Sequence, residues 1–185
     1  MDTRETALLL FVEMEKTKNF GSSLIRDTLN KYDYEDPREK AFLKRLTEGT
    51  LESLLTLDYV INAYSKTPTN KMKPLIRSLL RLSVYQILYM DTVPDSAACN
   101  EAVRLAKKKG VKTLGIVNVV GSSIAREADN VFYTLAGPEI AVATTKAYST
   151  QLIAGYCLAV QFAKVRGSID DKQYAHLIDE MQQLT

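Results

Sequence analysis

The side chains of this sequence that could do chemistry are mainly basic, and they are concentrated in one segment. Residues 62–110 carry nine Lys and Arg against three Asp and Glu, a net charge of +6. Residues 1–61 carry nine against twelve, and residues 111–185 carry six against seven. Because phosphate groups are bound by Lys and Arg that share one surface, this pattern favours an anionic partner. The alternative is a solvated helix face.

The candidate phosphate-binding residues come from this segment, with two more from earlier in the chain: Lys71, Lys73, Arg77, Arg81, Arg104, Lys107, Lys108, Lys109, Arg4 and Arg38. Each of them could instead serve only surface solubility. Arg77 and Arg81 share one face of a predicted helix and could instead pair with core-facing acids such as Asp58. Tyr85 and Tyr89, also at helical spacing, are interpreted as core residues rather than as platforms for base stacking.

The spacing of the remaining polar residues does not indicate catalysis or metal binding. His176 is the only histidine, and we expect it on the surface of an amphipathic helix. The turn at Gly121-Ser122-Ser123 lacks the glycine spacing and the lysine of a phosphate loop, so we interpret it as a strand-to-helix turn. We therefore expect no cofactor, no metal and no enzymatic activity. Cys99 and Cys157 are expected to be reduced core thiols of a cytoplasmic protein.

The elements that position the basic segment are predicted to be helices throughout residues 1–110. Asp2 is a predicted N-cap, with Glu5 completing a capping box. The motif Asp36-Pro37-Arg38-Glu39 starts another helix, and Pro74 starts the most apolar one. Gly49 predicts either a tight contact between helices or a break.

The pattern changes after Gly110 to strand, helix, strand, helix. Residues 113–120 and 131–135 are predicted to be strands, the first buried on both faces. Helices are expected over 123–129, from Thr144 or Thr145 to Gly167, and from Asp170 or Asp171 to Leu184. The predicted fold is therefore mainly α, an all-α domain followed by an incomplete α/β fragment with two parallel strands. Its open strand edges allow self-association. No apolar run is long enough for a membrane span, and the N-terminus does not read as a signal peptide.

Residues 1–110 resemble the NusB-like N-terminal domain of bacterial rRNA cytosine-C5 methyltransferases, the Sun/Fmu family. The matching stretches are TRETALLLF, DPREKAFLKRLTEGTLE, LDYVINAYSK, KMKPLIRSLLRLSVYQILYMD and VPDSAACNEAVRLAKKKG. The resemblance implies an all-α domain that contacts structured RNA, with rRNA as the expected partner. We expect the methyltransferase domain of that family to be missing from this chain.

Residues from about 106 to 185 resemble part of the first sugar-isomerase (SIS) domain of glutamine–fructose-6-phosphate aminotransferase. The matching stretches are VKTLGIVNVVGSSIAREAD and FYTLAGPEIAVATTKAYSTQL. The resemblance implies a flavodoxin-type α/β fragment and carries a sugar-phosphate contact onto Val142, Thr144 and Lys146. We expect little sugar-phosphate binding, because the main phosphate loop of that family is missing.

Both resemblances meet at residues 106–110, the lysine-rich AKKKG stretch. Our hypothesis is that the chain is a chimera, with a NusB-like RNA-binding domain at 1–110 and a partial SIS domain at 111–185. Three functions follow from this organisation. The first is non-catalytic binding of structured RNA, the second is a sugar-phosphate-binding fragment, and the third is a chimera without function.

Overall fold

The computed structural model describes residues 2–31, 34, 36–138 and 145–183. It divides the chain into two compact units, Met1–Val111 and Lys112–Thr185. In the first unit the described elements are helices: α1 Thr3–Thr17, α2 Ser22–Lys31, α3 Pro37–Glu52, α4 Leu54–Tyr64, a 3₁₀ turn Thr69–Lys71, α5 Pro74–Tyr89 and α6 Asp95–Lys108. The second unit contains β1 Leu114–Val117, α7 Ser123–Glu127, β2 Asn130–Tyr133, α8 Thr145–Val165 and α9 Asp171–Gln182. The mainly-α prediction with two parallel strands is confirmed.

The helices of the first unit begin where side-chain caps and prolines allow it. The Asp2 carboxylate accepts hydrogen bonds from the backbone N–H groups of Arg4 and Glu5. Asp36 accepts one from Arg38, and Pro37 follows at a position where its missing N–H costs nothing. The Glu5 side chain does not close the predicted box in this way; it accepts hydrogen bonds from Lys108 and Lys109 at the end of α6 instead.

The core of the first unit forms around α1 and α5. The fully buried side chains of this core include Leu8, Phe11 and Met14 of α1, Leu43 and Leu46 of α3, and Leu57 of α4. Burial of this apolar surface is the main force that holds the helices together. The basic residues that follow α4 are thereby attached to a close-packed scaffold.

Gly49 marks a tight contact between helices rather than a break. It lies within α3, and a Cβ atom there would stand 1.8 Å from the Tyr85 hydroxyl oxygen. The Tyr85 side chain of α5 is buried, with 7% exposure. Only a residue without a side chain lets α3 and α5 approach this closely.

The second unit is built on a two-stranded parallel sheet. Leu114 pairs with Asn130 and Val117 with Tyr133. β1 ends at Val117 rather than at the predicted residue 120, because Asn118 turns its side chain toward the loop after β2 and Val119 and Val120 are exposed. Leu114 is also exposed, so the expectation of a strand buried on both faces was wrong. A strand is buried on both faces only where helices cover both faces of the sheet, and they do not cover Leu114.

The helices α7 and α9 begin at predicted caps, whereas the candidate cap Thr144 of α8 lies outside the described residues. Ser122 accepts a hydrogen bond from the Ala125 backbone N–H and starts α7, which confirms the interpretation of that turn. Asp170 forms a complete capping box with Gln173 at the start of α9. Among the helices that the structure describes, none combines the length and apolarity that crossing a membrane requires.

Candidate nucleic-acid interface

Arg77 and Arg81 of α5 point into the first unit and form a buried ion cluster with two acids. Arg77 Nε lies 2.7 Å from Glu15 Oε1, and Arg81 Nη1 lies 2.6 Å from the same oxygen. Arg81 also holds Asp58 through two hydrogen bonds of 2.7 and 2.6 Å. Burial lowers the pKa of Arg81, but hydrogen bonds with Asp58 and the charge of Glu15 raise it above its ordinary value.

The two arginines are only 9% and 8% exposed. Both arginines pair with core-facing acids, Glu15 and Asp58, which is the alternative that the sequence had left open. A phosphate could reach them only by breaking this cluster, which would leave buried charges uncompensated. Neither guanidinium is therefore available to a phosphate in this fold.

Arg77 also organises the turn that carries Lys71. Its Nη1 donates to the Thr69 carbonyl oxygen at 2.9 Å, while the Asn62 side chain accepts from the Thr69 N–H at 2.7 Å. Lys71, the last residue of this turn, and Lys73, two residues beyond it, are exposed. Neither forms an ion pair with a residue that the structure describes, so both ammonium groups are available to a phosphate.

The candidates of α6 are largely neutralised by the N-terminus of α1. Arg104 Nη2 lies 2.5 Å from both Asp2 Oδ2 and Glu101 Oε2. Lys109 Nζ lies 2.7 Å from Glu5 Oε1, and Lys108 pairs with the other oxygen of Glu5. Hydrogen bonds from the two lysines hold the pKa of Glu5 below its ordinary value of 4.5. Hydrogen bonds with Glu101 and Asp2 likewise raise the pKa of Arg104.

Three candidates remain beyond these groups. Lys107 is exposed and without an ion-pair partner among the described residues. Arg38 is exposed at the start of α3. Arg4 is partly buried, since its Nε donates to Gln86 Oε1 at 2.7 Å and its guanidinium lies 4.8 Å from the centre of the Phe42 ring. Lys107 is thus the α6 residue best placed for a phosphate.

A groove between α4 and α5 was missed at the sequence level. Tyr64 and Lys66 line it together with apolar side chains of Val60, Leu80 and Val84, and its volume is about 470 Å³. The available signal was an aromatic residue and a lysine next to the basic turn, in the stretch YSKTPTNKMK. Tyr85 of α5 is a core residue, as predicted. The same prediction for Tyr89 was wrong, because Tyr89 is the last residue of α5 and is 40% exposed.

In the second unit, only part of the predicted sugar-phosphate contact can be located. Val142 and Thr144 lie outside the described residues. Lys146 is exposed at the start of α8, with its Nζ beside Gly137. Asn118, another residue that the sequence analysis overlooked, holds this loop by donating to the Gly137 carbonyl and accepting from the Ala136 N–H, both at 2.7 Å. It follows the carboxyl end of β1, where parallel sheets commonly bind ligands.

The histidine and the two cysteines, all among the described residues, are not brought together in one site. The His176 side chain is 72% exposed and lies 3.5 Å from Glu180 on the same helix, as expected for a surface residue. Cys99 and Cys157 are free thiols that are half-buried rather than fully in the core. Burial raises the pKa of the Cys99 thiol, and the negative charge of Asp95 raises it further. Within the described ranges, no group of three or more His, Cys, Asp or Glu side chains is placed to hold a metal ion.

The chain is similar to two kinds of known protein. It is 32% identical over 160 residues to the probable ribosomal RNA small subunit methyltransferase B of Bacillus subtilis, which covers 86% of this chain and 35% of the relative. It is also 56% identical over 87 residues to the glutamine–fructose-6-phosphate aminotransferase of Clostridium tetani, covering 47% of this chain and 14% of the relative. The corresponding enzyme of Caldanaerobacter subterraneus is 53% identical over 90 residues, 49% of this chain and 15% of the relative.

The chain therefore spans about a third of the length of the methyltransferase and about a seventh of the aminotransferases. No solved structure matches it. The profile of the NusB family matches residues 1–126, which is more than half of the chain and includes all of the helical unit with the buried cluster, the basic turn and α6. The sequence match and the all-helical architecture of this unit agree, and the chain belongs to the NusB family.

Proposed function

We propose that this protein binds structured RNA, with ribosomal RNA as the partner, without catalysing a reaction on it. The observation that carries the proposal is that Lys71, Lys73 and Lys107, three lysines of the basic segment 62–110, are exposed and form no ion pair with a described residue. Phosphate contacts of this kind supply most of the affinity of sequence-independent RNA binding. The similarity to a ribosomal RNA methyltransferase supports ribosomal RNA as the target and the cytoplasm as the location.

The binding surface that we propose differs from the full set of basic candidates. Lys71, Lys73 and Lys107 make the main phosphate contacts. Arg38 and the half-exposed Arg104 contribute at the margins. Lys108 and Lys109 contribute less because they are already paired with Glu5, and the phosphate must compete with that carboxylate.

Titration of a labelled fragment of small-subunit ribosomal RNA at several salt concentrations tests this proposal. We expect Kd to rise steeply with salt, and the triple variant with Lys71, Lys73 and Lys107 changed to alanine to lower the salt slope by about 2. The matched control replaces three exposed lysines outside residues 62–110, namely Lys16, Lys40 and Lys172, so that the net charge changes equally. Equal slopes for the two triple variants would overturn the proposed surface.

A second candidate function concerns the second unit alone. Identity of 56% to the Clostridium tetani aminotransferase, together with the positions of Asn118 and Lys146 beside Gly137, favours residual binding of a sugar phosphate. If this unit binds fructose 6-phosphate, millimolar ligand should raise the melting temperature. No shift with this ligand, alongside salt-dependent RNA binding, would leave RNA binding as the function of the chain.

A further inference from the structure

We propose that the groove between α4 and α5 receives an unpaired base of a single-stranded RNA segment, with Tyr64 as the stacking platform. Lys66, Lys71 and Lys73 bind the flanking phosphates. This inference rests on the proposed RNA binding and states which part of an RNA this surface recognises. It distinguishes the site from one that only follows the backbone of a duplex.

The shape and chemistry of the groove suit a flat aromatic ligand. Tyr64 is 91% exposed at the end of α4, and Val60, Leu80 and Val84 form apolar walls beside it. An aromatic side chain this exposed gains nothing from the core, since almost none of its ring is removed from water. Unpaired RNA bases are commonly recognised by stacking on exposed aromatic rings.

Positive charge lies at the same end of the groove. Lys66 lines the groove itself. The turn with Lys71 is tied to α4 through the hydrogen bond between Thr69 and Asn62, which is two residues before Tyr64. Because Lys71 is only two residues beyond Thr69, its backbone lies within roughly 7 Å of that attachment. Lys66 thus adjoins the base site, and the turn with Lys71 follows the same end of α4 along the chain.

The turn that carries Lys71 is fixed by hydrogen bonds to side chains of α4 and α5. The Thr69 carbonyl is bound by Arg77, whose guanidinium is itself fixed by Glu15. The turn that carries Lys71 is therefore anchored on both its N–H and its carbonyl side before any ligand arrives. Such preorganisation reduces the entropy lost when a flexible RNA strand binds.

Charge complementarity favours RNA over an apolar protein segment as the occupant. An apolar helix in the groove would cover Tyr64 but would leave the ammonium groups of Lys66, Lys71 and Lys73 unpaired at its edge. A single RNA strand brings an aromatic base and its flanking anionic phosphates in one repeating unit.

The experiment uses the whole chain and an oligoribonucleotide that contains 2-aminopurine, compared with the same strand annealed to its complement. We expect the single strand to bind more tightly, with quenching of the 2-aminopurine fluorescence. Tyr64→Ala should weaken binding about 5- to 150-fold and abolish the quenching, whereas Tyr64→Phe should retain both. The salt slope should not change in Tyr64→Ala, because no cation is removed.

Tyr59→Ala is the matched control, since Tyr59 is a 76% exposed tyrosine of the same helix that does not line the groove. Equal binding of single strand and duplex, with Tyr64→Ala like wild type, would overturn this inference and leave salt-dependent RNA binding intact. Absence of salt-dependent binding to any RNA would overturn both proposals. A concentration-dependent dimer that Tyr64→Ala abolishes would identify a second copy as the occupant and also reject the inference.

Discussion

At the residue scale, an arginine or lysine is available to a ligand only if no carboxylate of the protein is paired with it. Glu15 is the central example: it is 5% exposed and accepts hydrogen bonds from both Arg77 and Arg81. A buried carboxylate of this kind is tolerated because both of its oxygens are paired with guanidinium groups. The cluster joins α1 to α5 and leaves the exposed lysines nearby free for a ligand.

We predict that Glu15→Gln will lower the free energy of unfolding by about 3–5 kcal/mol, because two buried arginines lose their shared counter-charge. Urea denaturation measures this change. Glu13→Gln is the control, since Glu13 is an exposed acid of the same helix and should change stability by less than about 0.5 kcal/mol. A loss below about 1 kcal/mol for Glu15→Gln would mean that the cluster contributes little to stability.

At the element scale, the contact of α3 with α5 decides how the helices of the first unit can pack. The backbone at Gly49 lies against the Tyr85 ring, where an added Cβ would stand 2.2 Å from the ring carbon that bears the hydroxyl. The obstructing atoms belong to a buried ring, which has little freedom to move away. The two helices must then separate to accept any larger residue.

Gly49→Ala is therefore expected to destabilise the first unit by about 1–3 kcal/mol or more, although alanine is the better helix former. Gly155→Ala is the opposite case, because nothing lies within 4 Å of the Cβ position there. That change should be neutral or should stabilise α8 by up to about 1 kcal/mol. Thermal unfolding of both variants measures the difference, and similar effects at the two positions would refute the tight-contact explanation.

At the scale of the whole molecule, the two units differ in how much apolar surface they bury. Among the described residues of the second unit, the buried hydrophobic side chains are Val117 and Ala154, whereas those of the first unit form an extended cluster. Several large side chains of α8 are exposed, including Tyr148, Tyr156 and Phe162. The chimera hypothesis stays a prediction; a partial SIS domain would bury little apolar surface, since it has only part of its core.

We predict that β1 and β2 will exchange their backbone amide hydrogens much faster than α5. Little buried surface opposes local opening of the sheet, whereas opening α5 disrupts the core of the first unit. Hydrogen exchange followed by mass spectrometry of the whole chain measures both regions in one sample. If the strands were as protected as α5, the prediction of a less stable second unit would fail.

The sequence by itself determined the features that depend on neighbours within a few residues. The caps at Asp2, Asp36, Ser122 and Asp170 were predictable because each side chain bonds to a backbone N–H two or three positions away. The change from helices to strands after Gly110 was likewise predictable from local periodicity.

Only the tertiary structure decided which basic residues remain available to a ligand. Arg81 meets Glu15 from 66 positions away, and Lys109 meets Glu5 from 104 positions away. Such pairings depend on how helices pack rather than on local spacing, so a count of charges cannot separate Arg77 from Lys71. The groove between α4 and α5 could not be predicted from the sequence for the same reason. Its lining residues belong to two helices that come together only in the folded chain.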